Sequence, residues 1–248
     1  MSPVPLLLKL LAAHLAGDFV LQSSRVAAGK ARPAVLAVHL AIHALLLALV
    51  GLTEPGSFRL WFGLLVVLVA HGAIDAWTTR MESRDLRHLA LDQSLHLASL
   101  CAGAAIAEPW RVAAAAGALP GLMQGPRVWV VVAGAMLAVA AGATVIGRWV
   151  RPFREALSDE SRAQLAGLEL AGRWIGMLER VVIFAAVLAR VESLIGFVIA
   201  VKAVLRLPEA RERWSRELAE YYLVGSLASL GWALVAGLTA RALLERVG

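Results

Sequence analysis

Four apolar segments each carry two metal-type side chains four residues apart: His14/Asp18, His39/His43, His71/Asp75 and Asp92/His96. Positions i and i+4 share one face of a helix, so each segment offers two polar groups from one side. Such groups are costly to place inside a bilayer, and where they occur there they mark functional sites. Five imidazoles and three carboxylates without a thiolate suit Zn, Mn or Fe, and their number suffices for one or two divalent ions. Two ions with a bridging carboxylate and an activated water would support hydrolysis, with Asp18, Asp75 and Asp92 as catalytic carboxylates. The same residues could instead form a proton or ion pathway, or only hydrogen-bond helices to one another. Gln22 and Gln93 border the layer as hydrogen-bond partners behind the ligands. His88 falls in a charged connector and is expected to be solvated.

The elements that must position these residues are membrane-type helices. The chain is 60% hydrophobic and 17% charged, with a mean hydropathy of +0.73, against about 45–50% apolar and 25% charged in soluble domains. Apolar stretches near the roughly 20 residues that cross a bilayer recur along its length. The ten-residue alternation of a β-barrel is absent. The expected fold is an all-α polytopic transmembrane bundle of 7–8 spans, at 3–21, 34–52, 59–79, 90–108, 127–149, 172–189, 193–206 and 219–241. The seventh is short enough to be a tilted or re-entrant half-span. The N-terminal run lacks the basic region of a secretory signal and reads as a retained first span. The lone Cys101 excludes an intramolecular disulfide and a thiolate cage. No basic stretch is interleaved with aromatics, which argues against nucleic-acid binding.

Basic residues set the expected orientation. Sixteen Lys and Arg fall in or beside the connectors 22–33, 80–89, 150–171 and 207–218, and six fall on the opposite side. The positive-inside rule therefore makes these connectors cytoplasmic, in a bacterial inner membrane, with both termini outside. Residues 1–149 then form the bundle that carries the His/Asp cluster, 150–171 a connector that reads as an amphipathic surface helix, and 172–248 a C-terminal module. Ser158 is the expected N-cap in the connector, and Pro208 is expected to open a second cytoplasmic helix. At 1.5 Å rise per residue the eight polar side chains fall in one slab of the cytoplasmic half of the bilayer. His14 and Asp18 recur 57 positions later as His71 and Asp75, and His39 recurs as His96. That register suggests a parallel duplication of a two-span hairpin across spans 1–4.

The C-terminal module holds its own unusual charges. Glu179 cannot snorkel and needs a base, Arg180 or Lys202, whereas Lys202 and Arg206 can reach an interface cheaply. Together Glu179, Arg180, Lys202 and Arg206 make a candidate position for a lipid phosphate or another anionic small molecule. Gly172/Gly176 and Gly225/Ser229 have the small-xxx-small spacing of helix-packing seams. Oligomeric state leaves no mark in the sequence.

The pattern His14-x3-Asp18-Phe19-x2-Gln22, His39-x3-His43, His71-x3-Asp75 and Asp92-Gln93-x2-His96 resembles an uncharacterised bacterial polytopic membrane family, domain of unknown function 3307. The resemblance covers roughly residues 5–110. The tail is similar to the C-terminal half of longer members, through Gly176-x2-Glu179-Arg180, Lys202-x3-Arg206 and Glu220-Tyr221-x3-Gly225-Ser226. It implies a helical membrane fold and no particular activity.

Overall fold

A computed structural model of the chain describes residues 6–54, 56–81, 85–107, 127–166, 169–212 and 215–247, apart from the side chains of 166–170, 205–214 and 247. Among the described residues every regular element is helical. One compact unit runs to Met136 and takes in the chain from Leu243; the second is Leu137–Ala242.

In the first unit, α1 (Leu6–Leu15) continues into a π-helical turn, Ala16–Val20, closed by Leu21 N donating to Ala16 O at 2.8 Å. Then follow α2 (Ser24–Gly29), α3 (Pro33–Leu52), α4 (Phe58–Thr78), α5 (Leu86–Ala107) and α6 (Val128–Met136). Local chemistry sets the starts. Ser23 Oγ accepts from Val26 N, Ser57 Oγ from Leu60 N at 3.1 Å, and Asp85 Oδ1 from His88 N at 2.8 Å, each satisfying an amide left over at a helix N-terminus. Pro33 occupies the first position of α3, where its missing N–H is not needed.

A single stripe runs down each long helix, and its character changes along the way. In α4 the apolar residues Leu60, Leu64 and Val67 lead into His71 and Asp75; in α3, His39 and His43 lead into Leu47 and Val50; in α5, His96 leads into Leu100 and Ala104. These positions recur at three- and four-residue spacing, hence on one helix face. Because α1, α3, α4 and α5 alternate in direction, the polar ends gather in one layer and the apolar ends form the core with Leu6, Leu10 and Ala13. At the apolar end α4 and α5 meet through Gly63 and Gly103: a Cβ on Gly103 would press into Val67 Cγ2 and lie 2.9 Å from Gly63 O. Outward faces remain apolar, with Leu45, Leu49, Leu65 and Val69 exposed.

In the second unit a π-helical turn, Leu137–Ala141, leads into α7 (Gly142–Glu155), followed by α8 (Asp159–Ala166), α9 (Glu169–Ala189), α10 (Glu192–Glu212) and α11 (Arg216–Val247). A π turn misaligns carbonyls, and side chains take up two of them here: Trp232 Nε1 donates to Leu137 O at 2.9 Å and Arg180 Nη2 to Val139 O at 3.3 Å. Arg190 closes α9 at φ 58°, with Val191 N donating to Ala186 O and Arg190 N to Val187 O. This is a Schellman ending carried by a non-glycine residue, and it turns the chain at once into α10.

Five of these helical stretches are long and apolar enough to cross a membrane: Pro33–Leu52, Phe58–Thr78, Leu86–Ala107, Val128–Glu155 and Arg216–Arg246. The protein is thus of multi-pass type, with five candidate spans among the described residues where 7–8 were expected. The expected first span is divided between a short α-helix and a π turn, and the sixth and seventh lie in α9 and α10, outside these five. Two local expectations are corrected. The connector 150–171 is not one helix: α7 runs through Pro152 to Glu155, and α8 restarts at Asp159 with Ser158 Oγ accepting from Ser161 N. Pro208 opens no new helix, because α10 continues through it to Glu212. A proline there forfeits the bond to the carbonyl four residues back, a loss a long helix can absorb near its end.

Candidate functional site

The polar layer of the first unit is where the four stripes converge. Asp18 Oδ1 lies 3.1 Å from His39 Nε2, 3.1 Å from His43 Nε2 and 3.6 Å from His71 Nε2, and the Nε2 atoms of His39 and His71 are 3.1 Å apart. All four side chains are buried, His39 completely. A second group, His71, Asp75 and His96, shares the His71 ring. Its separations are 3.5 Å from His71 Nε2 to Asp75 Oδ2 and 3.9 Å from His96 Nε2 to Asp75 Oδ1.

His96 has a determined tautomer. Its Nδ1 lies 2.9 Å from Asp92 O, which can only accept, so in the neutral ring the proton sits on Nδ1 and Nε2 carries the lone pair. That Nε2 is buried with no hydrogen-bond partner and faces Asp75. A buried, unpartnered imidazole lone pair, its ring fixed from behind by a carbonyl, is the arrangement expected of a metal ligand.

The remaining expected residues form a border. Thr78 Oγ1 donates to Asp92 Oδ1 at 2.8 Å and Gln93 Nε2 to Asp92 Oδ2 at 2.9 Å, so both oxygens of Asp92 are engaged outside the two inner groups. His14 Nε2 faces Gln93 Oε1 at 3.1 Å, and Gln93 Nε2 also reaches Asp18 Oδ2 at 3.4 Å. Gln93 therefore links His14, Asp18 and Asp92. Gln22 does not join this network, since its Oε1 is buried without a partner. His88 is half-buried rather than solvated, donating from Nε2 to Thr78 O at 2.9 Å.

Lys30 is a site residue that sequence reasoning missed. Its ammonium lies 3.0 and 2.9 Å from the two oxygens of Asp75 and 4.0 Å from Asp18 Oδ1, with the residue 8% exposed. Counted only as a cation of the connector, it gave no periodic signal; the short helix α2 folds it back under the layer. With neutral imidazoles, Asp18 and Asp75 exceed Lys30 by one negative charge, which a divalent ion or a proton would offset.

The π turn brings Gly17 against His43, and a Cβ there would collide with the ring at Cε1 and Nε2. Gly17→Ala is expected to push His43 out of the inner group and, where that group holds an ion, to weaken its retention by roughly 10–100-fold, the scale seen when ligand support is lost. Competition with a chelator during metal analysis measures this, and an unchanged affinity removes His43 from the ligand set.

Of the C-terminal residues, Lys202 Nζ pairs with Glu179 Oε2 at 2.6 Å, and Arg180 is 3% exposed and donates from Nη1 to Ser229 Oγ at 2.9 Å. The side chain of Arg206 lies outside the described ones. Of the residues read as packing seams, Gly172 has no neighbour, since a Cβ there would meet nothing within 4 Å. A Cβ on Gly225 would touch Val150 Cγ1 at 3.5 Å, and Ser229 is buried against Arg180.

Compared with known proteins, residues 6–115 match the sequence profile of the family described as Protein of unknown function (DUF3307). No curated protein and no solved structure matches the chain significantly.

Proposed function

We propose, with residues 6–115 taken as a domain of that uncharacterised type, that the buried cluster holds one or two divalent ions and hydrolyses a lipid-linked or otherwise anionic substrate. The observation that carries this reading is the quartet of Asp18 Oδ1 and the Nε2 atoms of His39, His43 and His71: all lie within 4.8 Å of one another, with Asp18 to each imidazole and His39 to His71 at 3.1–3.6 Å. Four donors about 2.0–2.1 Å from a tetrahedral ion lie ~3.3–3.4 Å apart. The donor chemistry fits Zn, Mn or Fe. A bound divalent ion would polarise an ester or phosphoryl oxygen and lower the pKa of water. Asp75 and Lys30 supply the neighbouring carboxylate and ammonium: one accepts a proton, the other steadies developing negative charge. His14, Gln93, Asp92 and Thr78 hold the inner residues in place.

The frame for this reading is an inner-membrane protein of 7–8 spans with the charged connectors and the cluster on the cytoplasmic side. Its modules are 1–149, 150–171 and 172–248. The 57-residue repeat is supported by equivalent contacts, Asp18–His39 at 3.1 Å and Asp75–His96 at 3.9 Å.

Elemental analysis of detergent-purified protein tests the centre. We expect one to two equivalents of a single transition metal or zinc per chain, removed by chelation and restored by resupply. Protein that stays metal-free after supplementation with Zn, Mn and Fe sinks this reading. One observation favours a second reading, a proton or metal-ion pathway: the contacts Lys30–Asp75–His39–Asp18–His43 run unbroken at 2.9, 3.2, 3.1 and 3.1 Å. In that case Asp75→Asn abolishes proton flux in proteoliposomes.

A further inference from the structure

The second unit contains a cavity of about 480 Å³, large enough for a small-molecule headgroup. Three helix faces build it. Ala143, Gly147, Val150 and Arg154 line it from α7; Gly172, Gly176 and Arg180 from α9; Tyr221, Gly225 and Ser229 from α11. The three- and four-residue spacings put each set on one side of its helix. Small residues hollow the space: a Cβ on Gly147 or on Gly172 would meet nothing within 4 Å.

The lining has a strong charge bias. Arg148, Arg154, Arg173, Arg180 and Lys202 stand around it with a single carboxylate, Glu179, which is bound by Lys202. Arg180 is the buried member, and its Nε has no hydrogen-bond partner although Nη1 and Nη2 are used. Nε lies on the side of Gly142, away from the lining, so Arg180 acts on the cavity as a positive charge held at its wall by Ser229 and Val139 O. Thr144 on α7 and Tyr222 and Ser226 on α11 add hydroxyls to the lining. Arginine forks and hydroxyls are the usual partners of phosphate oxygens.

We propose that this cavity binds a phosphate ester, with Arg180 as its buried anchor and Arg148, Arg154 and Arg173 as its basic rim. The site does not depend on the metal reading of the first unit. A phospholipid headgroup and a soluble phosphate ester share this chemistry, and the test separates them.

Full-length protein in an uncharged detergent is titrated with radiolabelled inorganic phosphate and with phosphatidic acid, with phosphatidylcholine of the same acyl chains as control. Saturable binding of phosphatidic acid that inorganic phosphate competes away identifies a site open to soluble esters; binding without competition identifies the lipid. Both support the proposal. Gly172→Leu fills the cavity without removing a charge, and Gly147→Leu repeats the test from another helix. Each is expected to weaken binding at least about tenfold, the scale of a lost charge-assisted hydrogen bond, with metal content and thermal unfolding unchanged. The proposal is overturned if neither probe binds, if phosphatidylcholine binds as tightly as phosphatidic acid, or if both filled variants bind like the parent.

Discussion

His71→Ala is expected to bring bound metal to background, whereas His43→Ala and His96→Ala each leave a partial complement. The asymmetry follows from geometry. His71 is common to both ligand groups, while His43 belongs only to the group with Asp18 and His39, and His96 only to the group with Asp75. One imidazole nitrogen binds one ion, so a single-ion centre forms in one group or the other, and only loss of the shared ring damages both. Losing a direct ligand should cost at least the ~10–100-fold that loss of an outer partner costs. In a chelator-competition series, His71→Ala should be weakest, ahead of the other two by about tenfold or more. Equal losses in all three variants would mean that the groups are one indivisible site; no loss in any would remove the centre altogether. Asp92→Asn should stand apart, holding metal at a reduced affinity, because the Asp92 carboxylate supports only through Thr78 and Gln93 and the carbonyl that holds the His96 ring is kept.

The second large effect lies at the apolar end of the same unit. Lys9 Nζ donates to Glu54 Oε1 at 2.6 Å and to Thr53 Oγ1 at 2.9 Å, with the two charged side chains 9% and 2% exposed. Glu54→Ala strands an ammonium in that setting, and breaking one side of a buried pair costs about 3–5 kcal/mol. Replacing both partners with apolar residues of similar size, Lys9→Met with Glu54→Leu, should restore stability to near or above the parent, since the desolvation of both charges disappears. Detergent-denaturation midpoints of the purified variants check this. A Glu54→Ala cost under about 1 kcal/mol would make the pair no stronger than a surface ion pair. Metal content should stay unchanged in the double variant.

The helices and the convergence of the polar layer were legible because both depend on period. The i, i+4 pairs fix a face, and alternating spans bring the polar ends of α1, α3, α4 and α5 to one level. Lys30 was not legible, since it belongs to no apolar helix and reaches Asp75 only through the fold of α2. The separation of Asp92 from the inner groups was likewise hidden, because it is decided by Thr78 and Gln93, whose hydrogen bonds leave no sequence period. Gly172 of α9 carried the right spacing for packing and has no neighbour opposite it, because spacing reports a face and not what lies against it. Pro208 was read as the start of a helix, yet α10 continues through it; it removes one donor, and a long helix holds enough other bonds to absorb that loss.

The π turn at Ala16–Val20 has a consequence for inheritance of the fold. A π turn holds one residue more than the α-helical turn it replaces, so it takes up the extra residue without turning the helix on either side of it. Losing one residue there would return the segment to α geometry with Lys9 still on Glu54, while the turn that sets Gly17 and Asp18 against His43 would be rebuilt. A deletion inside α1 would instead swing everything before it by about 100° about the helix axis and slide it by about 1.5 Å. The extra residue thus serves the site and leaves the rest of the helix in register. Insertions and deletions in this stretch should be far less tolerated than substitutions at its lipid-facing positions, such as the exposed Val20.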